Sequence, residues 1–195
     1  MRSIFFANDE DADVRIHGNG FLQAELTDGR KMHVWERDCP VKQDVSTQIH
    51  DHTSSFTSEI IMGMLWNIEY TILPVCFESN VLFPDRPQFK VYEARVRHDK
   101  DTGLYDTGER VITSPTYRNM FFNAGSSYDF PRGQYHSTEP IGEYVVTFVT
   151  RRDDDNGESP RILVPEGQEP DNDFDRYAHH DYAIDLYQRI KRLIP

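Results

Sequence analysis

The chain is poor in cysteine, in long apolar runs and in positive charge. Its 195 residues include two cysteines, Cys39 and Cys76, and no CxxC pair. That rules out a disulfide framework and leads us to expect a reducing, cytoplasmic compartment. No apolar run approaches the length of a membrane span. The stretch from Met1 to Glu10 turns acidic after a very short apolar patch, which is not the pattern of a secretory signal. Lys and Arg number 21 against 33 Asp and Glu, a formal net charge of -12. Such a surface repels nucleic-acid backbones and anionic membranes, so neither is expected as a partner. Internal repeats and low-complexity segments are also missing.

What is present is a set of short extended runs separated by turn residues. Apolar residues make up only 37% of the chain, but aromatics reach 12% and can fill a core. Residues Phe21 to Leu26 and Lys31 to Glu36 alternate around Asp28-Gly29, a strong hairpin signal. Val45 to His52, Phe56 to Met62, Met64 to Leu73, Phe89 to Arg97, Tyr117 to Asn123, Tyr144 to Thr150 and Ile162 to Val164 read as further strands. Gly63 interrupts one of these runs, as a bulge or corner would. The proline-bearing stretch 74–90 reads as a loop, and His98 to Gly103 as a hairpin loop. Toward the end the period changes. Tyr182, Leu186, Ile190 and Leu193 fall at helical spacing, with Asp residues early and Arg189, Lys191 and Arg192 late, in accord with the helix dipole. One all-β domain over 1–195 is expected, with a barrel at about 20–165 and a C-terminal α-helix at about 174–194.

Ile49-His50-Asp51-His52 places two histidines two residues apart. In an extended chain such residues share a face, so His50 and His52 present two imidazoles side by side. Asp51 then faces away and braces a loop. A second stretch, Gly125 to His136, contains Pro131-Arg132-Gly133, a tight turn that delivers His136 at the start of a strand. Arg132 is expected at the exposed turn tip. Imidazole suits iron, zinc, copper and nickel. His33 reads as an ordinary strand residue, and His179-His180 as a surface feature.

Together the two stretches resemble the paired motifs of the cupin superfamily. Gly125 to His136 matches glycine, five residues, Pro-x-Gly, two residues, histidine, although Pro140 stands where an asparagine usually follows. His50 and His52 match the opening of the first motif. Thr57 stands where many cupins have glutamate, Glu59 is the nearest acid, and Gly63 sits beside the usual glycine place. The resemblance covers about residues 45–150 and implies a jelly-roll β-barrel with His50, His52 and His136 on one metal ion. Locally, Ile49-His50-Asp51-His52-Thr53 with Ser55 is similar to the cysteine dioxygenases, which use three histidines on ferrous iron. Thr57 replaces their crosslinked cysteine, and their Ser-His-Tyr relay is missing after His136.

The function this implies is a metal-dependent cupin oxygenase acting on a small polar substrate, a thiol being one choice. Fe(II) is the leading metal, with Zn, Ni or Mn as alternatives. Tyr128 and Tyr135 are the candidate catalytic side chains. Arg95, Arg97 and Arg118 are candidate substrate ligands, because arginine holds a carboxylate bidentately. Glu59 is a further candidate metal ligand. Alternatives are a lyase or isomerase on the same barrel, or a non-enzymatic small-molecule binder. Homodimers are common among cupins.

Overall fold

The computed structural model describes residues 13–41, 48–96, 102–152, 157–170 and 179–194. Among the described residues ten strands run in order: β1 (Val14–His17), β2 (Phe21–Glu25), β3 (Lys31–Glu36), β4 (Ile49–His50), β5 (Phe56–Pro74), β6 (Gln88–Val96), β7 (Thr102–Asn123), β8 (Ser127–Phe130), β9 (Tyr135–Arg151) and β10 (Arg161–Pro165). A short helix, α1 (Phe77–Leu82), lies between β5 and β6, and α2 (His180–Leu193) follows the last strand.

The expected hairpin is β2–β3, closed by a turn in which the Leu26 amide donates to the Arg30 carbonyl at 2.8 Å. All strand pairs are antiparallel, in the order β1-β2-β3-β9-β4-β10-β6-β7-β5-β8, with a further pairing of β9 on β5. The pairings from β9 through β4, β10, β6, β7 and β5 back to β9 form a closed ring. This is the all-β, jelly-roll type of barrel expected from the sequence, with its C-terminal helix.

Two long strands, β5 and β9, run through both halves of the barrel. Their N-terminal and C-terminal parts meet different neighbours: the C-terminal half of β9 pairs with β3, and its first turn of chain with β4. The change comes at bulges between Ile60 and Met62 and between Met62 and Met64. Gly63 sits there at φ +75°, and a Cβ on it would come within 2.4 Å of the Tyr144 carbonyl oxygen. Only glycine fits such a position. The bulges also exchange faces. Phe56, Ser58 and Ile60 are the buried positions before them, Leu65 and Asn67 after.

The β1–β3 layer has two sides. Val14, Ile16, Leu22, Ala24, Met32 and Val34 pack with Val146 and Phe148 against Ala183, Leu186, Tyr187 and Ile190 of α2. The helix thus covers the apolar face, as its spacing implies. Arg15, Gln23, Lys31, His33 and Trp35 occupy the other face. There Trp35 packs with Ile60, Leu65, Val145, Phe122 and Tyr128, which joins this face to the histidine-bearing half of the barrel.

The short helix α1 was not expected in the stretch read as a loop. It is started by a capping box: the Cys76 sulfur accepts from the Ser79 amide and the Ser79 hydroxyl from the Cys76 amide. Residues 98–101 of the expected hairpin loop and residues 174–178 lie outside the described residues, while Thr102 and Gly103 already belong to β7. Among the described residues, no helix is long and apolar enough to cross a membrane.

Candidate metal centre

His50 lies directly opposite His136 in the β4–β9 pairing, so the two side chains leave the same face. His52 follows beyond the end of β4. The three rings have centroid separations of 5.0 Å (His50–His52), 4.8 Å (His50–His136) and 5.1 Å (His52–His136). One nitrogen from each lies within 4.8 Å of the other two. His52 Nε2 and His136 Nε2 are 2.9 Å apart. Two neutral imidazole nitrogens that close share either a proton or an ion. Two nitrogens each ~2.1 Å from a metal and at right angles would be ~3.0 Å apart, so the spacing fits cis ligands.

Local structure holds these rings. The Gly133 amide, in the turn read from the sequence and at φ +74°, donates to the His52 carbonyl at 2.9 Å. The Arg132 amide donates to Ser55 Oγ at 3.2 Å, while its side chain is exposed. The two motifs are therefore bound to each other by backbone. Asp51 faces away, as expected. Its carboxylate accepts from the Arg161 amide at 2.5 Å and its own amide donates to the Arg161 carbonyl at 3.0 Å.

Around the rings the setting is apolar. Phe130 lies 4.2 Å from His136, and Phe56 4.9 Å from His52. Burial, and then the neighbouring histidines, hold His52 and His136 well below the usual imidazole range. Both rings are neutral near pH 7, the form that binds metals. His136 Nδ1 donates to Asn67 Oδ1 at 2.6 Å, which leaves its Nε2 with the lone pair. Asn67 itself is fully buried, and its Nδ2 is the one buried side-chain nitrogen or oxygen without a partner among the described residues. A divalent ion suits this donor set.

The other expected site residues divide. Tyr128 packs on Phe122 at 4.2 Å and belongs to the apolar cluster beneath the histidines. Burial pushes its phenol up to about 12, so the phenol keeps its proton at neutral pH. Tyr135 adjoins His136 and therefore occupies the opposite face of β9. It packs there with Phe89, Val91, Val111 and Leu163, and the structure does not bring it to the histidines. Glu59 is likewise on the far face of β5, 3.7 Å from Arg30, and Thr57 bonds Asp129 at 2.7 Å.

Arg95 is exposed, paired with Glu93 at 2.5 Å and set over the Tyr105 ring. It is not part of the cluster. Arg97 lies outside the described residues. Arg118 stands opposite Glu69, and Glu69 opposite His136, so these three leave one face in a row across β7, β5 and β9. Arg118 is exposed and Glu69 half-buried, which puts Arg118 at the rim.

Sequence reading missed Asn67 and Glu69. The available signal was a pair of polar residues within the otherwise apolar run from Leu65 to Tyr70. A cavity of about 440 Å³ is walled by Ser55, Asp129, Phe130, Pro131 and Arg152. Phe130 stands between its wall and the ring of His136. A second, of about 450 Å³, lies near Trp35, Cys39 and Gly142 and includes none of the three histidines.

No protein-family profile matches the chain, and no curated protein does. Among solved structures, it is similar to hydroxypropylphosphonic acid epoxidase from S. wedmorenis, at 6% identity and a TM-score of 0.42. The match covers 76% of this chain and 59% of the epoxidase chain, so the chain spans well under two thirds of that protein. It is also similar to the cupin domain of Drosophila melanogaster CENP-C, at 10% identity and a TM-score of 0.37, over 77% of this chain and 86% of that one. Both likenesses are remote. The fold stated above rests on the chain's own strand pairings.

Proposed function

We propose that His50, His52 and His136 hold one divalent metal ion, ferrous iron foremost, and that the protein is a mononuclear oxygenase for a small polar substrate. The observation that carries this is the three-nitrogen cluster, in which the buried His136 and the half-buried His52 are neutral and no carboxylate stands among the three. Three neutral ligands leave positions open on a six-coordinate ion and leave its charge uncompensated. That favours an anionic bidentate substrate, such as a thiolate or hydroxy acid, together with dioxygen.

The ion, when bound, supplies redox and Lewis-acid chemistry. The chain's own residues supply the rest. Phe56 and Phe130 keep water from the His52 and His136 rings. Asn67 fixes the tautomer of His136. Tyr128 holds its phenol proton and can donate it in a hydrogen bond. Arg118 stands at the rim as a cation for an approaching carboxylate.

The test is anaerobic reconstitution with ferrous iron, followed by oxygen uptake with a panel of thiols, hydroxy acids and amino acids. Substrate-stimulated uptake that His136→Ala abolishes is the expected result. If no class stimulates uptake and the protein keeps zinc or nickel in preference to iron, the oxygenase reading is wrong. Turnover that persists without oxygen would move the assignment to a lyase or isomerase on the same site.

A further inference from the structure

The polar face of the β1–β3 layer is unused by the function above, yet it looks into the same interior. Arg15 donates from Nε (3.1 Å) and Nη2 (2.8 Å) to Gln23 Oε1. A guanidinium only donates, so this fixes which way the amide points. Gln23 Nε2 then meets His33 Nε2 at 3.1 Å. An amide nitrogen also only donates, so His33 Nε2 accepts. The ring proton must sit on Nδ1. Burial, and then Lys31 and Arg15, hold the His33 pKa down to about 3, so the ring stays neutral. Among the described residues its Nδ1–H has no hydrogen-bond partner.

Lys31 leaves the same face two residues earlier. It is partly buried, and among the described residues no side-chain hydrogen bond or ion pair reaches its ammonium. Desolvation lowers its pKa, and Glu25, Arg15 and Arg151 are the charges nearest to it in effect. Arg15 is 3.8 Å from Asp13. So in a chain of net charge -12, Arg15 and Lys31 stand half-buried on one face, with the exposed Arg151 at its edge and Glu25 and Asp13 beside them. Glu25 stands cross-strand from Lys31 but is exposed, so part of the desolvation cost of the ammonium is left for a bound anion to offset.

The face is joined to the histidines. His33, Thr147 and Ile60 form one cross-strand row, and Ile60 packs with Leu65 of the histidine-bearing half. His33 is also near enough to His52 to act on it electrostatically.

We propose that this wall is an oxyanion subsite facing the barrel interior that the three histidines also face. Lys31 supplies the charge and His33 Nδ1–H a neutral donor, for a carboxylate or phosphate group on a substrate whose other end reaches the three histidines. This rests on the reading of the triad as the reacting centre.

The test measures calorimetric binding of lactate, inorganic phosphate and neutral lactamide to the zinc-loaded and the metal-free protein. The anions should bind wild type at least about tenfold more tightly than lactamide, and the preference should collapse in ~1 M salt. Lys31→Met should remove the preference without changing lactamide binding, Lys31→Arg should restore it, and His33→Phe should reduce it. Should Lys31→Met fail to fold, phosphate protection of wild-type Lys31 against acetylation, read by peptide mass spectrometry, gives the same answer. Anions that bind no better than lactamide, or an unprotected Lys31, overturn the subsite. Failure of wild type to take up zinc, with the anion preference intact, would remove the metal reading and leave the subsite standing.

Discussion

Asn67 and His136 form a buried pair in which the imidazole Nδ1 donates to the amide oxygen at 2.6 Å. The consequence is chemical as well as structural. A ring held this way presents its Nε2 lone pair toward His52, and cannot rotate without leaving a buried carbonyl unsatisfied.

Asn67→Leu should therefore weaken metal binding by about 10–100-fold, the usual cost of losing such an orienting partner. Asn67→Asp keeps an acceptor at the same place and should retain most of the affinity. Competition against a colorimetric chelator reads both. Equal affinity in Asn67→Leu and wild type would mean that His136 needs no orienting partner.

The metal-free protein should lose stability in acid. His33, His52 and His136 all have folded-state pKa values below the ordinary 6.5. The unfolded chain therefore binds more protons below that pH, and stability falls as pH drops from 6.5 toward the folded values. Each histidine contributes at most about 1.4 kcal/mol per pH unit within that window. Urea unfolding between pH 8 and pH 5, on protein stripped with chelator, should show the midpoint constant above ~6.5 and falling below it. Replacing His33 by Gln should flatten the slope. Added zinc should restore stability most at the upper end of the range, since protons compete for the same nitrogens.

Much of the site was legible because it is local. The His50-x-His52 spacing, the turn before His136 and the α2 periodicity each depend on neighbours in sequence, and each appears where expected. Which way a strand faces is not local. The bulges around Gly63 exchange the faces of β5, so counting by twos from Thr57 could not reveal that Glu59 looks away from the histidines while Glu69 shares their side. The same one-residue logic puts His136 in the cluster and Tyr135 out of it. The β7 strand runs unbroken from Thr102 to Asn123, well beyond the Tyr117 to Asn123 run read from the sequence. Its pairing with β5 shifts between Tyr70 and Ile72, and the shift absorbs the extra residues. The helix α1 was hidden because a cysteine is an unusual cap and prolines flank it.

Gly63→Ala should be among the most damaging single changes. The new methyl would meet the Tyr144 carbonyl oxygen at 2.4 Å and Val145 Cγ2 at 2.9 Å. Backbone at positive φ adds its own penalty. Together these cost about 2–5 kcal/mol. The bulge also sets the face of Leu65 and Asn67, so metal binding should fall along with stability. Gly29→Ala is the control. It too has positive φ, but a Cβ there meets nothing within 4 Å, so its cost should be only about 1 kcal/mol. Thermal unfolding of the two variants separates steric contact from backbone conformation.

Beside its apolar contact, α2 is tied to the barrel through one carboxylate. Glu36 at the end of β3 accepts from Arg189 at 2.6 Å and 3.2 Å and from the Tyr182 hydroxyl. Arg189 also donates to the Tyr144 hydroxyl at 2.9 Å and pairs with Asp185 one turn earlier. Burial alone would raise the Glu36 pKa, but the bonds from Arg189, Tyr182 and Tyr144 more than offset it and keep the group ionised. Its folded pKa thus lies below its unfolded one, and the stability it contributes is present above about pH 4.5 and lost as pH falls below it. Glu36→Leu removes the acceptor and strands Arg189, so it should cost about 2 kcal/mol, below the range for a fully buried pair because Arg189 is a third exposed. Arg189→Met leaves Glu36 with its two tyrosine donors and should cost less. The double variant should be milder than the sum of the two, because neither charge is then left without its partner. Simple additivity would show that Glu36 and Arg189 act independently, and that α2 is held by its apolar face alone.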